Sequence, residues 1–232
     1  MAKFGGRKCR PTRVILMKMT RAAKLISSDN YEVELKLRPH EAEMLDRVWA
    51  LEHVGSFDVI SKRRLHLYIR YYDSPDFALD RAGGNLRWRT IDGAAEAELT
   101  YKGPSEVHGG VFRRLEITAL LPRDVDPLAV EPMPEPVALA RRATTDLGST
   151  KLVLENDRRS MRLSGRDAIV QLDLDITTMP GTDYLDFEIE GEMVQGDAEV
   201  LSELETALAS VGAVTRSIKG KRARGWAFLK AS

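Results

Sequence analysis

The stretch Tyr31-Glu32-Val33-Glu34-Leu35-Lys36-Leu37 alternates ionic and apolar side chains without a break. Strand side chains point to opposite faces with period two. Glu32, Glu34 and Lys36 therefore share one face, and Val33, Leu35 and Leu37 the other. The pattern recurs down the chain. Arg87 and Arg89 oppose Leu86 and Trp88, and Glu98, Thr100 and Lys102 oppose Leu99 and Tyr101. Arg114 and Glu116 oppose Leu115 and Ile117, and Arg158 and Arg162 oppose Met161 and Leu163. Asp173 and Asp175 oppose Leu172, Leu174 and Ile176, while Glu188 and Glu190 oppose Phe187 and Ile189. An ordinary half-exposed strand turns mixed polar residues to solvent, whereas this face is almost wholly ionic.

Two architectures satisfy that alternation. In one, an antiparallel sheet packs its apolar face on helices and shows its charges to bulk water. In the other, the sheet curls into a barrel with the charges inside, which removes the exposed sheet edges. An ionic interior is costly unless its charges are paired and wet. The alternation alone leaves the two open.

The chemistry of the ionic face is more specific. Carboxylates two apart on a strand point the same way and can share a hard cation such as magnesium or manganese. Glu32 with Glu34, Asp173 with Asp175, and Glu188 with Glu190 form three such pairs. Guanidinium and ammonium groups suit phosphate oxygens. Both sets together fit a metal–polyphosphate complex better than either ion alone. Any single motif here is weak, because exposed strands also carry cross-strand ion pairs; the combination on consecutive strands carries the reading.

Alternation and turn residues predict strands near 31–38, 62–72, 84–92, 95–102, 111–121, 150–164 (bent or broken), 168–177 and 183–191. Gly83-Gly84, Asp92-Gly93, Gly109-Gly110, Ser164-Gly165 and Pro180-Gly181 supply the turns. Helical spacing predicts helices over 40–54, 136–147 and 197–211, with a shorter one around Trp226 and Phe228. This is an α+β chain, with one compact domain over 30–232. Residues 1–29 hold eight basic side chains and one acid, Asp29, and read as a basic, flexible extension.

Composition narrows the function classes. With 43% hydrophobic and 30% charged residues the 232-residue chain is globular. Thirty-five bases balance 35 acids, so no net field draws it to nucleic acid or an anionic membrane, and neither partner is expected. The single cysteine, Cys9, excludes an internal disulfide, a cysteine-rich zinc site and an iron–sulfur cluster. No apolar run approaches the ~20 residues of a membrane span, and a cytoplasmic location is the expectation. His40, His53, His66 and His108 show no ligand spacing, Gly220-Lys221 lacks a phosphate-binding glycine loop, and no nucleophile elbow or dinucleotide fingerprint is present.

The sequence resembles the CYTH family, the triphosphate tunnel metalloenzymes, from Tyr31 to about Phe228. Glu32-x-Glu34-x-Lys36 matches the family signature. Tyr71-Tyr72-Asp73-Ser74-Pro75-Asp76, followed by Leu86-Arg87-Trp88-Arg89, resembles its second landmark. Thr100-x-Lys102, Arg114-x-Glu116, Asp173-x-Asp175 and Glu188-x-Glu190 follow in the family's order. The resemblance favours the barrel: a closed eight-stranded antiparallel tunnel with a charged interior and helices packed outside. It implies binding of a triphosphate-containing small molecule with Mg2+ or Mn2+.

Carried over by position, the resemblance makes Lys36, Arg87, Arg89, Lys102, Arg114 and Arg158 phosphate ligands. Lys219 joins them, in preference to Lys221. It makes Glu32, Glu34, Glu188 and Glu190 the metal ligands, and gives catalytic roles to Glu32, Glu34, Lys36 and Asp175. The family's Lys-x-Arg reads Asn156-Asp157-Arg158 here, a contact that Arg162 or Lys151 would have to replace. The implied activity is metal-dependent triphosphate hydrolysis. An adenylyl cyclase of the same fold and a non-catalytic polyphosphate- or nucleotide-binding module are its rivals, and homodimerisation stays open.

Overall fold

The structure, a computed structural model, describes residues 31–108 and 111–231. The basic extension over 1–29, Cys9 and the turn at Gly109-Gly110 lie outside the described residues. Ten strands and five helices follow in order: β1 (Tyr31–Pro39), α1 (Glu43–Ala50), β2 (His53–Val54), β3 (Phe57–Asp73), α2 (Ala78–Arg81), β4 (Asn85–Ile91), β5 (Glu96–His108), β6 (Val111–Pro122), α3 (Glu135–Ala140), β7 (Ser149–Gly165), β8 (Ala168–Thr178), β9 (Leu185–Gln195), α4 (Val200–Val211), β10 (Val214–Arg216) and α5 (Lys221–Ala231).

Eight strands close into a ring in the order β1-β6-β5-β4-β3-β7-β8-β9, every neighbour antiparallel. The signature strand β1 makes the closure. Along one edge it pairs Glu32 with Arg114 and Glu34 with Phe112 of β6; along the other it pairs Lys36 with Glu190 and Leu37 with Ile189 of β9. The expectation of a closed, eight-stranded antiparallel barrel holds.

The alternation predicted from the sequence sorts the two faces. Leu35 and Leu37 point outward, where α1 (Met44, Leu45, Val48) and α4 (Leu201, Leu204, Leu208) cover them. Burying one such side chain fully contributes about 1.5–3 kcal/mol, and this cluster anchors one flank of the ring. On another flank, Val137 and Ala140 of α3 cover Leu86, Trp88 and Leu99. Helix α5 departs from the expectation of helices outside. It packs across one end of the bore, with Trp226 and Phe228 against Leu152, Leu154, Ile69 and Tyr71.

Several boundaries differ from the sequence reading. Strand β3 begins at Phe57 rather than 62, and β7 runs as one strand of 17 residues rather than broken. The β3–β7 register shifts at two places, between Val59 and Ser61 and between Tyr71 and Tyr72. The helix expected over 40–54 ends at Ala50, because Leu51 turns extended and His53-Val54 pair with β3. The helix expected over 136–147 ends at Ala140. Tyr71-Tyr72-Asp73-Ser74 is in part a capping device. Asp73 accepts hydrogen bonds from the backbone N–H of Ser74, Leu79 and Asp80 at 2.7–2.9 Å, satisfying the start of α2. No described helix is long and apolar enough to cross a membrane.

The β7–β8 turn is carried by Arg166 and Asp167, both at φ 56°, the signs a tight type I′ hairpin requires. Gly165 beside it serves a different need: a Cβ there would stand 2.6 Å from the Ser56 carbonyl oxygen and 3.2 Å from Phe57 Cα. Both neighbours are backbone and cannot swing away. Gly165→Ala should therefore cost about 1–3 kcal/mol by overpacking. Urea unfolding measures it, and a loss under half a kilocalorie would show that the hairpin yields.

Candidate active site

The inward face of the ring, capped by α5, encloses a chamber of about 420 Å³. Nine basic side chains line it (Lys36, Arg87, Arg89, Lys102, Arg114, Arg158, Lys219, Lys221, Arg222) against six acidic ones (Glu32, Glu34, Glu116, Asp173, Glu190, Glu192). Bases outnumber acids in this lining although the whole protein is neutral, and low-dielectric walls strengthen the field of such a chamber.

The charges interlock. Lys36 Nζ donates to Glu34 and to Glu190, each at 2.6 Å. Lys102 Nζ stands 2.8 Å from both oxygens of Glu32 and 2.9 Å from Glu116. Arg114 donates through Nε to Glu32 at 2.8 Å and through Nη2 to Glu34 at 2.9 Å. Across the bore, Arg158 grips Asp175 through Nε at 2.8 Å and Nη2 at 2.7 Å; it also reaches Glu190 at 3.0 Å and bonds Asp173. Beneath it, Lys221 Nζ lies 2.7 Å from Asp175, 2.5 Å from Glu188 and 2.8 Å from Glu190. Arg224 completes the lower layer, donating to Asp186 at 2.6 Å and to Glu188 at 2.8 Å.

Protonation follows from these contacts. Burial alone would raise Glu32, but Lys102, Arg114 and Lys36 hold its pKa well below the usual carboxylate range. Burial likewise opposes the ionisation of Glu190, and Lys221, Lys36 and Arg158 overcome it. For Glu188 burial prevails: its pKa is raised, with Glu190 adding to the effect despite Lys221. Lys221 and Lys36 are both raised by their carboxylates against burial. Arg89 goes the other way. Burial and neighbouring Arg87 depress it more than Glu98 restores, as expected of a base beside uncompensated positive charge.

Of the residues singled out from sequence, Glu32, Glu34, Lys36, Arg87, Arg89, Lys102, Arg114, Arg158, Glu190 and Lys219 line the chamber. Asp175 and Glu188 do not. Both are fully buried behind the lining, held by Lys221 with Arg158 on Asp175 and Arg224 on Glu188. Lys219 and Lys221 both line the chamber. Lys219 is exposed where the chamber meets a neighbouring groove, whereas Lys221 is buried among three carboxylates. Neither Lys151 nor Arg162 lines the chamber in compensation for Asn156. Lys151 sits over the Phe77 ring at 5.3 Å. The sequence reading missed Arg222, Arg224, Glu192 and the chamber roles of Asn85 and Asn156. Arg222 and Arg224 lie on α5, where no strand period phases them. His40, His53 and His66 make exposed polar contacts with Thr215, Asp58 and Asp157.

Oxygens of Asp175, Glu188 and Glu190 come within 4.8 Å of one another, yet the cation among them is the Lys221 ammonium. The carboxylates that line the bore include Glu32, Glu34 and Glu190, whose oxygens are the donor type a hard divalent cation takes, while the trio that converges within 4.8 Å among the described residues is Asp175, Glu188 and Glu190.

Fold and chamber together define the class: a closed antiparallel barrel whose bore is lined by more bases than carboxylates. The CYTH domain matches residues 30–217, and the chain belongs to the CYTH domain family. Solved structures share the architecture. HpAC1 of Hippeastrum, a candidate adenylyl cyclase described as having a dominant triphosphatase activity, is 19% identical with a TM-score of 0.67; the match covers 85% of this chain and 96% of that one. A candidate adenylate cyclase of Bacillus halodurans is 20% identical with a TM-score of 0.58, over 84% of this chain and 97% of that one. The PH1819 protein of Pyrococcus horikoshii is 23% identical with a TM-score of 0.56, over 87% and 99%. At these identities the likeness is one of fold. No curated protein matches the chain.

Proposed function

We propose that the chamber binds a triphosphate together with Mg2+ or Mn2+ and hydrolyses it. The observation that carries this reading is the lining of nine bases and six acids in one bore. Phosphoryl transfer needs chiefly positioning and charge neutralisation. Arg87, Arg89, Lys102, Arg114, Arg158 and Lys36 would hold the phosphate oxygens. Arg87 is the readiest: its nearest ion-pair contact is Glu116 at 3.8 Å, and its Nε has no partner among the described residues. Glu32, Glu34 and Glu190 would hold the cation, which supplies neutralisation of charge on the phosphate oxygens. Asp175 and Glu188 then act through others, fixing Arg158 and Lys221 in place. The HpAC1 description, which couples a cyclase name with triphosphatase activity, points the same way.

Release of phosphate from inorganic triphosphate, ATP and thiamine triphosphate, with magnesium against manganese and with cyclic AMP measured alongside, tests this. Glu34→Gln keeps the shape of a side chain bound by Lys36 and Arg114 but removes its charge. Turnover should fall by about two to three orders of magnitude, the scale of losing one charge-stabilising group, while the melting transition persists. Full activity in this variant would refute the assignment. Cyclic AMP as the main product would replace hydrolysis by cyclisation, and binding without turnover would make the chamber a binding module.

A further inference from the structure

Among the described residues, β3 is the one strand of the ring that gives the chamber no charge: it contributes only Ile69 and Tyr71. Beside it on β7 stands Asn156, 1% exposed and lining the chamber. Leu67 lies opposite Asn156 in the β3–β7 register, which makes Ile69 its diagonal neighbour. Neither the Oδ1 nor the Nδ2 of Asn156 has a hydrogen-bond partner among the described residues. Directly across on β8, the buried hydroxyl of Thr177 is also without one. Asn156 thus marks a boundary. One inward step along β7, Arg158 binds three carboxylates; one step the other way, Leu154 packs under α5.

Buried amides are seldom left unmatched, because each orphaned group carries a desolvation penalty. The chemistry of the orphan selects what would match it. Phosphate oxygens only accept, so they could take Nδ2 and would leave Oδ1 unpaired. A cation is drawn instead to the chamber's carboxylates. A group that presents a donor beside an acceptor satisfies both atoms of the amide at once, as the edge of a nucleobase does. Ile69 and Tyr71 offer such a ring an apolar surface. The distance is apt as well: two residues of strand, about 7 Å, separate Asn156 from Arg158, room for a sugar between ring and phosphates. Inorganic triphosphate has no atoms for this wall.

We propose that the β3 wall and Asn156 form a seat for the heterocyclic end of an organic triphosphate, with the Asn156 amide reading the donor–acceptor edge of the ring. The site is thereby built for a nucleoside triphosphate-like substrate over inorganic triphosphate. This rests on the triphosphate reading of the chamber.

Calorimetric titration with magnesium and two probes tests it: the β,γ-methylene analogue of ATP, and inorganic triphosphate. Wild-type protein is compared with Asn156→Leu and Asn156→Thr. Leucine replaces an unsatisfied amide by an apolar group of similar size and should leave the melting temperature unchanged or higher. Threonine is the second variant should leucine disturb the wall. Both should weaken the ATP analogue about tenfold or more and change inorganic triphosphate less than twofold. Equal weakening of both probes would make Asn156 a phosphate contact and overturn the seat. No change in either would mean that water satisfies the amide, and would overturn it too. Wild-type protein that binds inorganic triphosphate and not the ATP analogue would end this inference while sparing the triphosphate reading; binding of neither probe would end both.

Discussion

Arg158→Met should destabilise the protein by about 3–5 kcal/mol at neutral pH, the range for breaking a buried ion pair from one side. The arginine side chain is 13% exposed and holds Asp173, Asp175 and Glu190 together. Methionine fills much of the same volume and leaves three carboxylates facing one another with partners that include Lys36, Lys221, Ser160 and Gln171. Arg159→Met is the control. The neighbouring arginine projects from the opposite face and pairs with Asp46, whose side chain is 70% exposed, so its loss should cost less than about 1 kcal/mol. Guanidinium unfolding of the two variants separates a structural ion core from a decorated surface; similar small losses in both would show that the inner carboxylates are solvated and need no counter-charge.

The pH dependence of that loss has a definite sign. In the native protein Asp175 is buried and Glu190 mostly so, yet Arg158 and Lys221 keep their pKa values below the ordinary ones. A depressed carboxyl contributes stability that is present above its unfolded pKa and is lost as pH falls through the folded one. Wild-type stability should therefore decline below about pH 4.5, near the unfolded carboxyl values. Without Arg158 these folded pKa values rise. The variant is then penalised most at neutral pH, and its gap to wild type should narrow as the pH is lowered toward 4. A gap that stays constant from pH 7 to 4 would mean that the lost energy is packing rather than charge.

What could be read from the sequence was the facing of side chains, because period-two alternation is a property of the extended backbone itself. Glu32, Glu34 and Lys36 turn inward for that reason, and Leu35 and Leu37 outward. Closure could not be read this way. A flat sheet and a barrel share one alternation, and what separates them is the double pairing of β1 with β6 and β9, a long-range register that no local pattern encodes; the family resemblance decided it. Depth along the bore was hidden for a second reason. Asp175 and Glu188 were legible as inward-facing, but only α5 makes them a covered layer rather than part of the lining. That helix reads Lys221-Arg222-Ala223-Arg224-Gly225-Trp226, with no clear apolar stripe to orient it. Lys219 and Lys221 could not be told apart on spacing alone. Helix α2 and strands β2 and β10, with four, two and three residues, are shorter than any period can show.

Lys221→Met should convert an internal ion pair into a cation site. The ammonium stands 2.5–2.8 Å from Glu188, Asp175 and Glu190, and their oxygens already converge within 4.8 Å. Removing the charge leaves Arg158, Arg224 and Lys36 to balance this layer. In chelator the variant should lose about 3–5 kcal/mol for the uncompensated carboxylates. Helix α5, whose first residue is this lysine, should exchange its amide hydrogens faster, since Lys221 ties it to the bore. A hard divalent ion can then take the place of the ammonium among three carboxylates. Added manganese or magnesium should raise the melting temperature of the variant progressively, because an ion bound only to the native state contributes about 2.7 kcal/mol at a hundred times its dissociation constant. The response of the wild type should be smaller, because Lys221 blocks this position and leaves only the chamber carboxylates for an ion. Thermal melts of both proteins across a cation series decide the matter. A variant as stable as wild type in chelator, or one indifferent to added cations, would show that Lys221 is not the charge that holds these carboxylates together.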